Sequence, residues 1–289
     1  MKKILLFLGL MFISGCVRHS IHPSTIKDSF VLVKKRVQVD VCGYENKKWT
    51  CKELMKMGSV GSGAIIHNER YMMKSPRTFI LTANHVCESD KITSLESLGS
   101  QAIGHVQKNL KLKPPYKVVV NNQISLQNQF GESFEVLQKP WVQNKAADTC
   151  ILESSINAPP LKLGSSPQYG DFLYNVAAPK GVFHPDSDGG GVFFTQGIYN
   201  GQFLMRKGKV FAMYSIPAAP GSSGSPVLNK SGELVGMIHS IDSRFCSIAS
   251  CHSVISYGAT RKQVSESIRA ALAAARRDNR FEFDYLEYQ

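Results

Sequence analysis

The chain has little of several features that would assign a class at once. Its longest uninterrupted apolar run is Ile4–Ile13. Ten residues of helix rise about 15 Å, half of a bilayer core of roughly 30 Å, so no membrane-spanning helix is expected. Only 19% of the 289 residues are charged and 43% are hydrophobic, which excludes a disordered chain. Glycine and proline follow no collagen-like period, and no internal repeat is visible. Zinc-finger spacing is missing, and so is an aromatic–basic RNA-binding signature. The formal charge of +12 therefore reads as a solvated basic surface, its one dense cluster being Arg276, Arg277 and Arg280, and no nucleic-acid partner is expected.

The N-terminus is informative by its order. Met1-Lys2-Lys3 is positive, the short apolar run follows, and Ser14-Gly15-Cys16 closes it, as in an export signal. Ile13-Ser14-Gly15-Cys16 resembles a bacterial lipobox. The resemblance implies cleavage of residues 1–15, a lipid on Cys16 (palmitate among its acyl chains) and a protein held on the cell membrane or outer membrane, facing the periplasm or exterior. Val17 in place of an aspartate tilts that expectation toward the outer membrane. Residues 16–28 are polar and aperiodic and read as a tether.

With Cys16 set aside, Cys42, Cys51, Cys87, Cys150, Cys246 and Cys251 remain, an even number that suits disulfides in an exported chain. Six cysteines allow 15 pairings. The expected set is Cys42–Cys51, Cys87–Cys150 and Cys246–Cys251, the first and last closing short loops. A zinc site on Cys246, Cys251 and His252 fits no common spacing.

Beyond the tether, short β-type runs alternate with turn residues. They include 30–39, 61–66, 78–82, 117–120, 123–126, 133–137, 149–152, 172–177, 192–199, 210–214, 225–228 and 234–238. Many short strands without long helical periods between them predict an all-β fold of antiparallel barrels or sandwiches. One amphipathic helix is predicted over 260–276, on Val264, Ile268 and Leu272. Pro159-Pro160 divides a first half, 29–158, from a second, 159–259, with a helix and tail over 260–289.

Three segments carry candidate chemistry: Leu81-Thr82-Ala83-Asn84-His85-Val86-Cys87, Ala147-Asp148-Thr149-Cys150, and Pro220-Gly221-Ser222-Ser223-Gly224-Ser225. A serine hydroxyl is a poor nucleophile at neutral pH and needs a base to take its proton. A histidine fits that task, and a buried carboxylate holds its imidazole in the right tautomer. A glycine turn can aim successive backbone N–H groups into one cavity for a developing oxyanion. The assignment is Ser223 as nucleophile, His85 as base and then acid, Asp148 as its orienting carboxylate, and the N–H groups of Gly221 and Ser223 as the oxyanion hole.

These segments resemble the trypsin-like serine peptidase superfamily, most closely its bacterial periplasmic branch of high-temperature-requirement proteases and glutamyl endopeptidases. The order His85, Asp148, Ser223 is the chymotrypsin order. Leu161–Ser166 with Gly170-Asp171, Ala178–Gly181, Thr195–Ile198 and Gly232–Met237 also resemble stretches of that superfamily. The resemblance implies two six-stranded antiparallel β-barrels, the first carrying His85 and Asp148 and the second Ser223, with the triad in the cleft between them. It implies hydrolysis of protein or peptide substrates without a metal or organic cofactor. Two departures stand out. Digestive members place an aspartate before the nucleophile for activation by a new N-terminus, whereas here Ser222 stands there and no Ile-Val-Gly-Gly segment exists, so no such activation is expected. The second is length: the residues after the helix are few, so no following peptide-binding domain is expected.

For the specificity pocket the resemblance points to Pro217, Ala218, Ile238 and His239. Glutamyl endopeptidases carry a histidine on the strand after the nucleophile, but His239 lies one residue late. In a regular strand that turns it to the opposite face and leaves Ile238 toward the pocket unless a bulge resets the register. The floor at Pro217-Ala218 offers no carboxylate for Lys or Arg, so cleavage after small or medium apolar residues is expected. The loop His184–Gly191 lacks EF-hand spacing and reads as an exposed loop bordering the cleft.

Overall fold

The computed structural model describes residues 26–69, 77–88, 113–137, 139–181, 192–204, 208–242 and 254–278. Cys16, Cys246, Cys251, His252, Arg280, the loop His184–Gly191 and the segment 281–289 lie outside the described residues.

The first half forms a seven-stranded antiparallel sheet in the order β5-β4-β1-β2-β3-β7-β6. Its strands are β1 Phe30–Glu45, β2 Lys48–Glu69, β3 Arg77–Ala83, β4 Lys113–Asn128, β5 Ser133–Glu135, β6 Val142–Asn144 and β7 Thr149–Ser154. This differs from the expected six-stranded barrel. Here a bridge between Val136 and Ser154 joins the end of β5 to β7, and the short β6 adds a seventh strand beyond β7. The second half is a closed barrel in the order β10-β13-β12-β11-β8-β9. It is built from β8 Phe172–Ala177, β9 Phe193–Leu204, β10 Val210–Tyr214, β11 Pro226–Leu228, β12 Leu234–Ile241 and β13 Ser256–Thr260.

Sequence accounts for most of this. β3 and β7 carry the apolar runs Phe79–Leu81 and Cys150–Leu152 and are buried almost throughout, because they lie side by side inside the first sheet, where both faces are covered. β1 alternates buried and exposed residues over its middle, as a one-sided strand should. It pairs with β2 through the two-residue turn Asn46-Lys47, both with positive φ, the conformation that matches hairpin twist. Cys42 and Cys51 face each other across that hairpin and are bonded. The runs 117–120 and 123–126, read as separate strands, form one strand, β4. It follows β1 along the same hairpin, and nothing in its local sequence reveals that partner.

The helix spans Arg261–Arg277. Thr260 is its N-cap: its Oγ1 accepts the Gln263 amide at 3.3 Å, and the Gln263 side chain accepts the Thr260 amide at 2.8 Å. Val264, Ser267, Ala271 and Ala275 form its buried stripe, and Ser267 Oγ lies 2.6 Å from Thr149 Oγ1. The helix thus closes over β7 beside the residue that follows Asp148. A larger core unites the first sheet with the helix, and a smaller one, centred on Tyr214 and Ile216, fills the barrel.

Candidate active site

His85 sits in a single helical turn, Asn84–Cys87, that begins where β3 ends. The first amides of such a turn have no partner inside it and must find one elsewhere. Both go to Asp148. The Asn84 N–H donates to the Asp148 carbonyl at 3.0 Å, and the His85 N–H donates to Asp148 Oδ1 at 2.9 Å. The other carboxylate oxygen, Oδ2, lies 2.8 Å from His85 Nδ1. Asp148 itself has a φ of 51°, a left-handed conformation that an aspartate tolerates better than most residues. Two residues beyond each partner, Cys87 and Cys150 are bonded, so a covalent pin holds the His85 turn to the Asp148 strand.

Burial raises the Asp148 pKa, but the hydrogen bond and charge of His85, with the charge of His239, more than offset it, and the carboxyl titrates below its ordinary range. It is therefore ionised at neutral pH. His85 keeps 37% of its side chain exposed, enough for a substrate to reach its outer nitrogen.

Ser223 lies in the turn between Pro220 and Ser225, pressed onto the first sheet. The Ser62 N–H donates to the Ser223 carbonyl at 2.7 Å. At Gly224 a Cβ would collide with the Ser62 carbonyl, so only glycine admits this approach, and its φ of 92° is left-handed as well. The Ser62 hydroxyl donates to the Gly221 carbonyl at 2.9 Å and accepts the Ala178 amide at 3.1 Å. Ser62 is fully buried. It fastens the turn from both sides, and Thr82 Oγ1 fastens Ser62 in turn at 2.7 Å.

The direction of each amide in this turn follows from its neighbours, because a planar trans peptide points its N–H opposite its C=O. The Pro220 carbonyl accepts the Lys180 N–H, which turns the Gly221 N–H the other way. Lys180 reaches it with a φ of 55°, left-handed for a non-glycine residue. The Ser222 carbonyl accepts the Ser225 N–H at 3.0 Å and so sets the Ser223 N–H. The amides of Ser222 and Gly224 donate to Ala219 and Ile238. Among the described residues, those of Gly221 and Ser223 are the two in the turn with no protein acceptor. The Ser223 hydroxyl donates to the His239 carbonyl at 3.2 Å.

The four residues expected in one specificity pocket fall into two cavities. Ile238 and His239, with Ala219, Pro220, Ser240 and Ile241, line a cavity of about 260 Å³ beside Ser223. Pro217 and Ala218 line another of about 370 Å³ behind the turn, with Ala177, Lys180 and Phe193. β12 carries a bulge at the residue that decides the register: Ile238 pairs with Gly258 and Ser240 with Tyr257, and His239 falls between them. Both residues are consequently buried, at 1% and 5% exposure.

Ser62 and Lys180 are parts of this site that do not figure among the sequence-predicted residues. The glycines flanking Ser62 were the available signal, since a glycine inside a strand marks a close approach of backbone. For Lys180 the signal was its place in the family-like stretch Ala178–Gly181, which does not reveal the left-handed backbone.

Residues 61–237 match the family model described as trypsin-like peptidase domain, a span of more than half the chain that holds all three candidate segments. No curated protein matches the chain.

Proposed function

The chain belongs to the trypsin-like peptidase domain family, and from that premise we propose that it is a serine endopeptidase working through Ser223, His85 and Asp148. The observation that carries the reading is the doubly bonded Asp148–His85 pair, set beside a turn whose two unspent amides belong to the nucleophile and to Gly221. Ser223 Oγ leaves the His239 carbonyl, passes its proton to His85 Nε2 and attacks the scissile carbonyl carbon. The oxyanion is held by the Gly221 and Ser223 N–H groups. His85 then gives its proton to the leaving amine, and a water, deprotonated by the same imidazole, releases the acyl group. Asp148 stays ionised and steadies the imidazolium.

The cavity beside Ser223 supports cleavage after small or medium apolar residues. Ala219, Pro220, Ile238 and Ile241 line it with Ser222, Ser240 and the buried His239, and no acidic residue is among them. We further propose that Cys16 carries a lipid and holds the domain at a membrane outside the cytoplasm; the order of residues 1–16 supports this.

A second reading, a binding lipoprotein that uses the same fold without catalysis, draws on one observation: the Ser223 hydroxyl is engaged by the His239 carbonyl and not by His85. A fluorophosphonate probe decides between them. Labelling of the soluble domain at Ser223, absent in Ser223→Ala, supports the peptidase. A folded, unlabelled domain overturns it. Acyl labelling of the full chain that survives Cys16→Ser would refute the lipid assignment.

A further inference from the structure

His239 is the buried titratable group at this site that the mechanism above does not employ as a side chain. Three observations meet on it. The bulge in β12 re-aims its ring inward. The ring brings Nδ1 to 3.7 Å from Asp148 Oδ2, the oxygen that also binds His85. Its other nitrogen, Nε2, is buried without a hydrogen-bond partner among the described residues, and Phe211 meets the ring edge-on at 4.7 Å between centroids. A buried imidazole with one nitrogen toward a carboxylate and the other against apolar surroundings has one favourable tautomer. The proton belongs on Nδ1, where it points at the negative charge, and the bare Nε2 lone pair forgoes less than an unpaired N–H would.

We propose that His239 is a positioning residue for Asp148: its Nδ1–H side closes the outer flank of the carboxylate against water and holds Oδ2 on His85, while its own carbonyl stations the Ser223 hydroxyl. The inference rests on the peptidase reading for its catalytic consequence, but not for its structural content. Burial, with the positive charges of His85 and Lys209, pushes the His239 pKa down to about 4 against the pull of Asp148, so the ring stays uncharged through the neutral range. An uncharged ring leaves the full negative charge of Asp148 to His85. It also offers no cation to a substrate carboxylate, which separates this histidine from one that would select acidic residues.

The test has two arms. In the first, nitrogen-15 NMR of the Ser223→Ala chain follows the His239 ring from pH 5 to 9. The expected result is a neutral, Nδ1-protonated ring throughout; titration above pH 6 or an Nε2–H tautomer overturns the proposal, whether or not the protein is an enzyme. In the second, His239→Phe and His239→Gln are compared with wild type on a peptide substrate. Phe keeps the packing and removes the donor, and is expected to lower kcat about tenfold with KM within twofold, as loss of a polar contact to a charged group implies. Gln, which restores an N–H, is expected to recover part of that loss. Wild-type kcat in His239→Phe overturns the positioning role. Absence of activity in wild type overturns the peptidase reading and leaves the first arm to decide the structure.

Discussion

The two disulfides within the described residues make a controlled comparison, because one pins the candidate catalytic pair and the other ties the hairpin near its tip. Cys87–Cys150 closes a loop of 63 residues and Cys42–Cys51 one of 9. Loop-closure entropy gives about 4 kcal/mol for the first and about 2.5 kcal/mol for the second. Replacing each pair by alanine should lower the melting temperature by roughly 10 °C and roughly 6 °C respectively, at 2–4 °C per kcal/mol for a domain of this size. Their effects on activity should diverge far more. The His85 turn is four residues long and is otherwise held to Asp148 by two amides and the imidazole–carboxylate contact, so freeing Cys87 loosens the whole pair relative to Ser223. A displacement near 1 Å can reduce turnover about 10²-fold. Differential scanning calorimetry and the fluorophosphonate labelling rate, both followed well below the lower melting point, measure the two effects separately. The reasoning is refuted if Cys42→Ala/Cys51→Ala slows labelling as much as Cys87→Ala/Cys150→Ala, or if the latter melts no lower than the former.

Three further outcomes follow from the site. Asp148→Asn keeps the shape but forces the wrong His85 tautomer, and kcat should fall about 10³–10⁴-fold at neutral pH with KM little changed; steady-state kinetics on a peptide substrate check it. Ser62→Ala leaves the Gly221 carbonyl and the Ala178 amide buried without their partner, which should cost about 2–4 kcal/mol in urea unfolding and lower kcat up to about 10²-fold, whereas a change confined to KM would show that Ser62 does not set the turn. His239 has a folded-state pKa below its unfolded 6.5, so the unfolded chain binds the extra proton first and stability falls as pH drops from 6.5 toward 4, by about 3 kcal/mol. Asp148, lowered from 3.8, stabilises above that value and loses its contribution only below it. Urea midpoints across pH 7 to 4 should therefore decline less steeply in His239→Phe than in wild type.

What the sequence could disclose here depended on whether the determinant was local. His85, Asp148 and Ser223 each stand in a segment whose own residue types announce a turn after a strand, or a strand about to begin, and the glycines at 221 and 224 mark a backbone that must turn left-handed. The helix was legible for the same reason: its cap, its stripe and its period all lie within 260–277. The features that were not legible are relations between distant strands. The bulge at His239 lies in the pairing of β12 with β13, just beyond Met237, the last β12 residue paired with β11. A one-residue count along β12 assigns faces correctly only in a regular strand, and a bulge adds one residue to that count. Lys180 likewise pairs with Pro220 across a gap of 40 residues, and its left-handed backbone is stable only because that carbonyl waits for it. The candidate groups of this site were therefore readable from residue types, while their alignment, which decides whether two amides and two imidazoles converge, is a property of strand pairing. A variant at Ser62, which is buried and lines neither cavity, should accordingly change turnover without touching a residue that meets the substrate.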